Sequence, residues 1–231
     1  ESAGVWNVAR LLRRSTPQFN GRLGASLSIG SGGWIAAGAP GFFGDGYSEA
    51  LLFDTENEQS MFCFGEGAAN GACADCPCSN NAADGAIGGC LHSGGLSAEI
   101  QVSGVASAAN DTLQFGVRQA TPQTFAVLLS GAVALPAAGS CQAAGLTDPI
   151  LDGLRCVGSN LLRHGLRATD GSGNGTLPWG STAGPAGGLV ADTGASVGQT
   201  RFFQTFFREA SDQGCGTGIA TANAVRVAIR P

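Results

Sequence analysis

The sequence predicts an all-β protein: an antiparallel β-sandwich stapled by disulfides, with a small blade-like β-sheet at the N-terminus. Three observations carry this. Apolar and polar residues alternate with a period of two in one segment after another. Gly-Ser, Asp-Gly and Asn-Gly turn signals separate those segments at short intervals, and no long segment keeps a period of 3.6. Eight cysteines, an even number, lie in a chain of 231 residues that holds 38 glycines. That is the pattern of a disulfide framework made in an oxidising compartment.

The elements follow in chain order. "VWNVARLL" (residues 5–12) and "RLGASLSI" (22–29) come first; in the second, Leu23, Ala25, Leu27 and Ile29 share one face and Arg22, Gly24, Ser26 and Ser28 the other. "GWIAAGAP" and "EALLFD" complete a run of strands without cysteine. The polar stretch "DTENEQSM" then divides residues 1–60 from a larger cysteine-rich domain over 61–231. Within that domain "AEIQVS" and "TLQFGV" alternate again, and "NLLRHGLRA" would put Leu162, His164 and Leu166 on one strand face. "RFFQTFFR" carries Phe202 and Phe206 on one face and Phe203 and Phe207 on the other, as expected of a strand covered on both sides. In "AVRVAIR", Val225, Val227 and Ile229 face inward while Arg226 and Arg230 face out.

Composition removes several classes of function. The net charge of −5 and the absence of a basic run argue against nucleic acid, whose phosphates need clustered cations. No apolar stretch approaches the roughly 18–20 residues of a membrane span. The start, "ESAGVWNVARLLRR", lacks the basic region and apolar run of a signal peptide, and a mature secreted chain would look the same. Lysine is absent, so all twelve cationic side chains are arginine. That excludes lysine isopeptide crosslinks, lysine nucleophiles and Schiff-base chemistry.

Several local patterns bear on chemistry. "CADCPC" and the segment after it bring Cys73, Cys76, Cys78 and Cys90 close together, a spacing that could hold zinc. A zinc ribbon presents two separated Cys-x-x-Cys knuckles, and a redox pair needs a helix start where Pro77 and a loop follow instead. Beside Cys63, Cys141, Cys156 and Cys215 the four read as disulfide partners, in one of roughly a hundred pairings that sequence leaves open. "LVADTGAS" carries Asp192-Thr193-Gly194, the local pattern of an aspartic protease, in a single copy; the alternative is a turn in which Asp192 caps backbone amides. His92 and His164 are the only histidines, and without a Gly-x-Ser-x-Gly elbow neither suggests a serine triad. His164 between leucines reads as a partly buried, hydrogen-bonded residue. "TDGSGNGT" offers Asp170, Ser172, Asn174 and Gly175 like half of a calcium loop, but Ser181 stands where the bidentate Glu is required, so a turn is expected. Asn110 and Asn174 head formal glycosylation sequons.

Two resemblances add to this. "LGASLSIGSGGWIAAGAPGFFGDGYSEALLFD", with Gly38-Ala39-Pro40 and Gly44 to Tyr47 ahead of an apolar strand, resembles one FG-GAP repeat, the blade unit of integrin-type propellers. It lacks the Asp-x-Asp-x-Asp-Gly run that binds calcium in that family; Asp45 is the sole acidic match. The remainder looks like a domain recurrent in secreted proteins of planctomycete-type bacteria. "CFGEG" at Cys63, "CPCSNN" at Cys76 and Cys78, Cys90, "DGLRCVG" at Cys156 and "TRFFQTFFRE" leading to Cys215 carry that resemblance. It implies secretion and a β-rich fold and no established reaction. Cys73 and Cys141 lie outside the shared set, which suggests that they pair with each other.

A single blade cannot close a propeller, so its free edge must be covered by the rest of the chain or by another molecule. Val5, Trp6, Val8 and Leu11 in "GVWNVARLL" could therefore add as a strand to a neighbouring subunit and build a filament, or form the outer strand of their own blade. The expectation is a secreted, non-enzymatic structural protein that self-assembles outside the cell and needs no cofactor. An adhesion or carbohydrate-binding module of the cell surface is the alternative, with Trp6, Trp34, Trp179 or Tyr47 as the sugar platform, and a hydrolase through Asp192 is third.

Overall fold

The computed structural model describes residues 26–29, 34–39, 49–54, 59–67, 74–135, 145–148, 151–180, 188–209 and 216–231. The chain forms two compact units, Glu1–Asn57 and Glu58–Pro231. In the smaller one β1 (Ser26–Ile29), β2 (Trp34–Ala39) and β3 (Glu49–Asp54) make an antiparallel meander. Ser26 lies opposite Gly38 and Trp34 opposite Asp54. Val5, Trp6, Val8 and Leu11 lie outside the described residues, as do Asp45 and Tyr47.

The larger unit begins with β4 (Gln59–Phe62), β5 (Glu99–Ser103), β6 (Gln114–Arg118) and β7 (Phe125–Gly131). Four two-residue pieces follow: β8 (Val133–Ala134), β9 (Leu146–Thr147), β10 (Leu154–Arg155) and β11 (Val157–Gly158). Then come β12 (Leu162–Ala168), β13 (Trp179–Gly180), the short helix α1 (Leu189–Thr193), β14 (Thr200–Arg208) and β15 (Ile219–Ala228). A five-stranded sheet of order β12-β7-β14-β15-β4 faces a three-stranded sheet of order β13-β6-β5, and all pairings are antiparallel.

The core lies between these two sheets. Ile100, Phe115, Val117 and Trp179 on one meet Leu128, Phe203, Phe207, Val225 and Val227 on the other, all of them buried. The rings of Phe115 and Phe203 stand 4.5 Å apart, and each such side chain contributes about 1.5–3 kcal/mol by leaving water. β14 and the C-terminal part of β15 follow the expected alternation: Phe203 and Phe207 point inward, as do Val225, Val227 and, just beyond the strand, Ile229, while Arg226 is exposed. β14 sits between β7 and β15, and on its outer face Phe202 meets Phe62 edge-on at 5.9 Å.

β12 departs from strict alternation. Leu162 pairs with Ser130 and Arg163 with Leu129, but the next pair is Leu166 with Val127, so the strand carries one extra residue. Gly165, at φ +83°, lies within this bulge, in a backbone region that glycine reaches without strain. Leu166 therefore shares the outer face with Arg163 instead of joining Leu162 and His164 on the inner one, as the sequence period had suggested.

Part of the outer face, around Phe62, Leu129 and Phe202, is covered by crosslinked loops. Disulfides join Cys63 to Cys156 and Cys76 to Cys90, and these sulfurs pack with Leu154, Val157 and Ala224 in a second apolar cluster. Gln204 of β14, fully buried, ties those loops to the sheet. Its amide donates to the carbonyls of Leu154 (2.8 Å) and Ala222 (2.9 Å), and its oxygen accepts the Cys156 N–H at 2.9 Å. Gly89 lets the loop lie flat there, since a Cβ would collide with the Thr221 carbonyl.

Candidate functional site

Beside the crosslinked loops lies a cleft of about 210 Å³, lined by Asn80, Leu91, His92, Ser93, Asp152 and Glu209. Three chain segments converge on it. The loop through Asn80 is held by the Asn80 amide, which donates to the carbonyls of Leu91 (2.6 Å) and Asp152 (2.8 Å). Asp152, ahead of β10, donates its N–H to the Ile219 carbonyl at 2.8 Å. Glu209 directly follows β14 and donates its N–H to the Gly218 carbonyl at 3.1 Å.

The electrostatics of the cleft are set by two carboxyl groups. Asp152 is 1% exposed; its Oδ1 accepts the Thr217 hydroxyl (2.8 Å) and N–H (3.2 Å), while Oδ2 is buried without a partner. Glu209 Oε2 accepts the Ser93 N–H at 3.1 Å, and its Oε1 is likewise buried and unpartnered. Burial pushes the Glu209 carboxyl above its usual range and the charge of Asp152 adds to this, against the bonds from Ser93. His92 is fixed as neutral imidazole: Nε2–H donates to the Gln119 carbonyl (2.9 Å) and Nδ1 accepts the Gly94 N–H (2.9 Å). Its ring meets Phe207 edge-on at 5.7 Å, and burial lowers its pKa.

The patterns singled out in the sequence are placed as follows. Cys78 is disulfide-bonded, and with Cys76 and Cys90 joined to each other those thiols are spent as zinc ligands; Cys73, Cys141 and Cys215 lie outside the described residues. Among the described residues no three His, Cys, Asp or Glu side chains converge to hold a metal. Asp192 stands exposed on α1 rather than capping a turn, and the capping belongs to Asp111, a residue the sequence reading passed over. The Asp111 carboxylate accepts the N–H groups of Val190 (2.7 Å) and Leu113 (3.0 Å). Asp170 accepts the N–H groups of Ser172 (2.8 Å) and Asn174 (2.9 Å), which closes a turn and lowers its pKa. Ser181 lies outside the described residues; Asn110 is exposed and Asn174 partly so.

His164 comes within 2.8 Å of the Ser130 hydroxyl through Nε2, a nucleophile–base distance, and Asp192 is near enough for its charge to raise the His164 pKa against a larger lowering by burial. However, Ser130 is 1% exposed and points at Phe203 under the sheet, where no substrate carbonyl can reach it. This bond holds β12 to β7; it does not activate a serine. Trp179 is fully buried with its indole N–H on the Gly165 carbonyl (2.9 Å), so it cannot form a sugar platform. Trp6 and Tyr47 lie outside the described residues, as does the side chain of Trp34.

No protein-family model, curated protein or solved structure matches the chain. Fold and site together define a disulfide-stapled β-sandwich with an acidic cleft beside its crosslinks. No helix among the described residues is long and apolar enough to cross a membrane.

Proposed function

We propose that the chain is a non-enzymatic structural protein of the extracellular space that assembles with copies of itself. An apolar row on the outer face of the five-stranded sheet carries this reading. Leu166, Val127 and Phe206 lie directly opposite one another across β12, β7 and β14, and Phe125 continues the row. Leu166 is 62% exposed and Phe125 58%, beyond the reach of the crosslinked loops that cover Phe202 and Leu129. A strip of this kind on a sheet edge is a docking surface for another apolar face, and a second copy supplies one in every solution of the protein.

Other features support the reading. Disulfides that replace apolar burial suit a protein used outside the cell. β4, only four residues long, is the other edge of the sheet among the described residues and is the edge that a neighbour's residues 5–11 would extend. The planctomycete-type resemblance is to secreted proteins. The test is negative-stain microscopy with light scattering on three proteins: wild type, Leu166→Asp with Phe125→Ser, and a deletion of residues 1–12. Filaments or oligomers lost in the double variant support the face; loss only in the deletion assigns assembly to strand donation. A wild type that stays monomeric at high concentration overturns self-assembly, and a glycan array on that monomer then tests the adhesion alternative.

A further inference from the structure

We infer that the cleft between Asn80, Asp152 and Glu209 binds a hard divalent cation, calcium above all, through Asp152 Oδ2 and Glu209 Oε1, with main-chain oxygens and water completing the shell. The reading starts from an imbalance that the fold maintains. Each carboxylate has one oxygen fixed by protein donors: Asp152 Oδ1 by Thr217, Glu209 Oε2 by Ser93. Each leaves the other oxygen buried and unpartnered, and both residues line the same cleft. Asp152 is 1% exposed, so water cannot freely solvate its Oδ2. Two half-satisfied carboxylates at the wall of one cavity are costly by desolvation and by mutual repulsion. A cation between them reverses both effects at once.

The donors present select the class of ion. Both ring nitrogens of His92 are committed, one to Gln119 and one to Gly94, so the imidazole is no ligand. The sulfurs of Cys76, Cys78 and Cys90 are oxidised. Only oxygen remains, which suits calcium or magnesium rather than zinc or copper. A cleft of about 210 Å³ has room for an ion and several waters. With two charged ligands, the affinity falls in the range of extracellular calcium modules, a Kd of about 10⁻⁴–10⁻³ M. The ion would join the loop of Ser93, the segment of Asp152 and the end of β14, adding a noncovalent crosslink beside the disulfides. This inference is independent of self-assembly, because every ligand belongs to one chain.

The test uses the full, disulfide-intact chain stripped with EDTA. With calcium chloride at about 10 mM, roughly ten times the weakest expected Kd, Tm should rise by at least about 3 °C, and calorimetry should give one site. Glu209→Gln keeps the shape and removes one charge, and should cut the shift at least about tenfold in apparent Kd. Asp152→Asn should do the same; if it fails to fold, the Glu209 variant decides alone. A wild-type shift below about 1 °C, or one equal to that given by sodium chloride of matched ionic strength, overturns the site. An undiminished shift in Glu209→Gln does so too. Insensitivity to calcium together with stabilisation by acid that vanishes in Glu209→Gln would assign the two free oxygens to a shared proton instead.

Discussion

Alanine in place of both Cys63 and Cys156 removes a crosslink between residues 93 positions apart, whereas the Cys76–Cys90 bond spans 14. A crosslink restricts the unfolded chain by an amount that grows with the logarithm of the loop it closes. At these spans the cost of removal is about 4.7 kcal/mol for the long loop and about 3.0 kcal/mol for the short one. With the other crosslinks intact and Cys73 joined to Cys141, the path that Cys63–Cys156 closes shortens to about 25 residues and its figure to about 3.5 kcal/mol. Packing losses match, because all four sulfurs are buried in the same cluster. The informative quantity is therefore the difference, about 0.5 kcal/mol. Urea unfolding of the two double-alanine variants, with m-values compared, measures it directly. By heat, Tm should fall by about 7–14 °C for the long loop and about 6–12 °C for the short one. If loss of Cys76–Cys90 costs clearly more than loss of Cys63–Cys156, the crosslinks do not act through the unfolded chain and the reasoning fails.

Gln204→Leu strands the Cys156 N–H and the Ala222 carbonyl in an apolar cluster, and should cost about 2–4 kcal/mol in urea midpoint experiments. Burial lowers the pKa of both His92 and His164, so the unfolded chain takes up their protons first as pH falls below about 6.5. Stability is thus whole above that pH and declines below it, by at most about 1.4 kcal/mol per pH unit for each proton; His92→Gln should flatten part of the slope in melts from pH 7 to 5. Peptide mapping without reduction should link Cys78 to Cys215. Asp152 Oδ1 lies 4.0 Å from Cys78 Sγ and also holds Thr217, only two residues along the chain from Cys215.

Much of the fold was legible because burial writes a period of two into strands. Phe203, Phe207, Val225 and Val227 point inward as their spacing implies, and "RFFQTFFR" is the central strand that its two phenylalanine faces announce. Where one residue is inserted the period misleads: nothing in "NLLRHGLRA" separates a bulged strand from a regular one, and Leu166 crossed to the other face. The short helix at Leu189–Thr193 is five residues long and held by Asp111 from 79 positions away, a distance no local pattern records. The cleft was invisible for the same reason. Asp152 stands in an Asp-Gly pair and Glu209 at the end of an apolar run, and nothing local marks either as part of a site. Only the pairing of β14 with β15 and the crosslinked loop bring them together.

Gly165 gives β12 an uncommon relation to insertion and deletion. The register on both sides of the bulge is already correct, with Arg163 opposite Leu129 and Leu166 opposite Val127. Loss of this single codon would leave every flanking side chain on its present face and yield an unbroken strand. What would disappear is the kink, together with the carbonyl that anchors the Trp179 indole. The sheet would gain a straighter margin from the smallest genetic change that preserves reading frame, because a bulge is one of the devices that turn a sheet edge away from pairing.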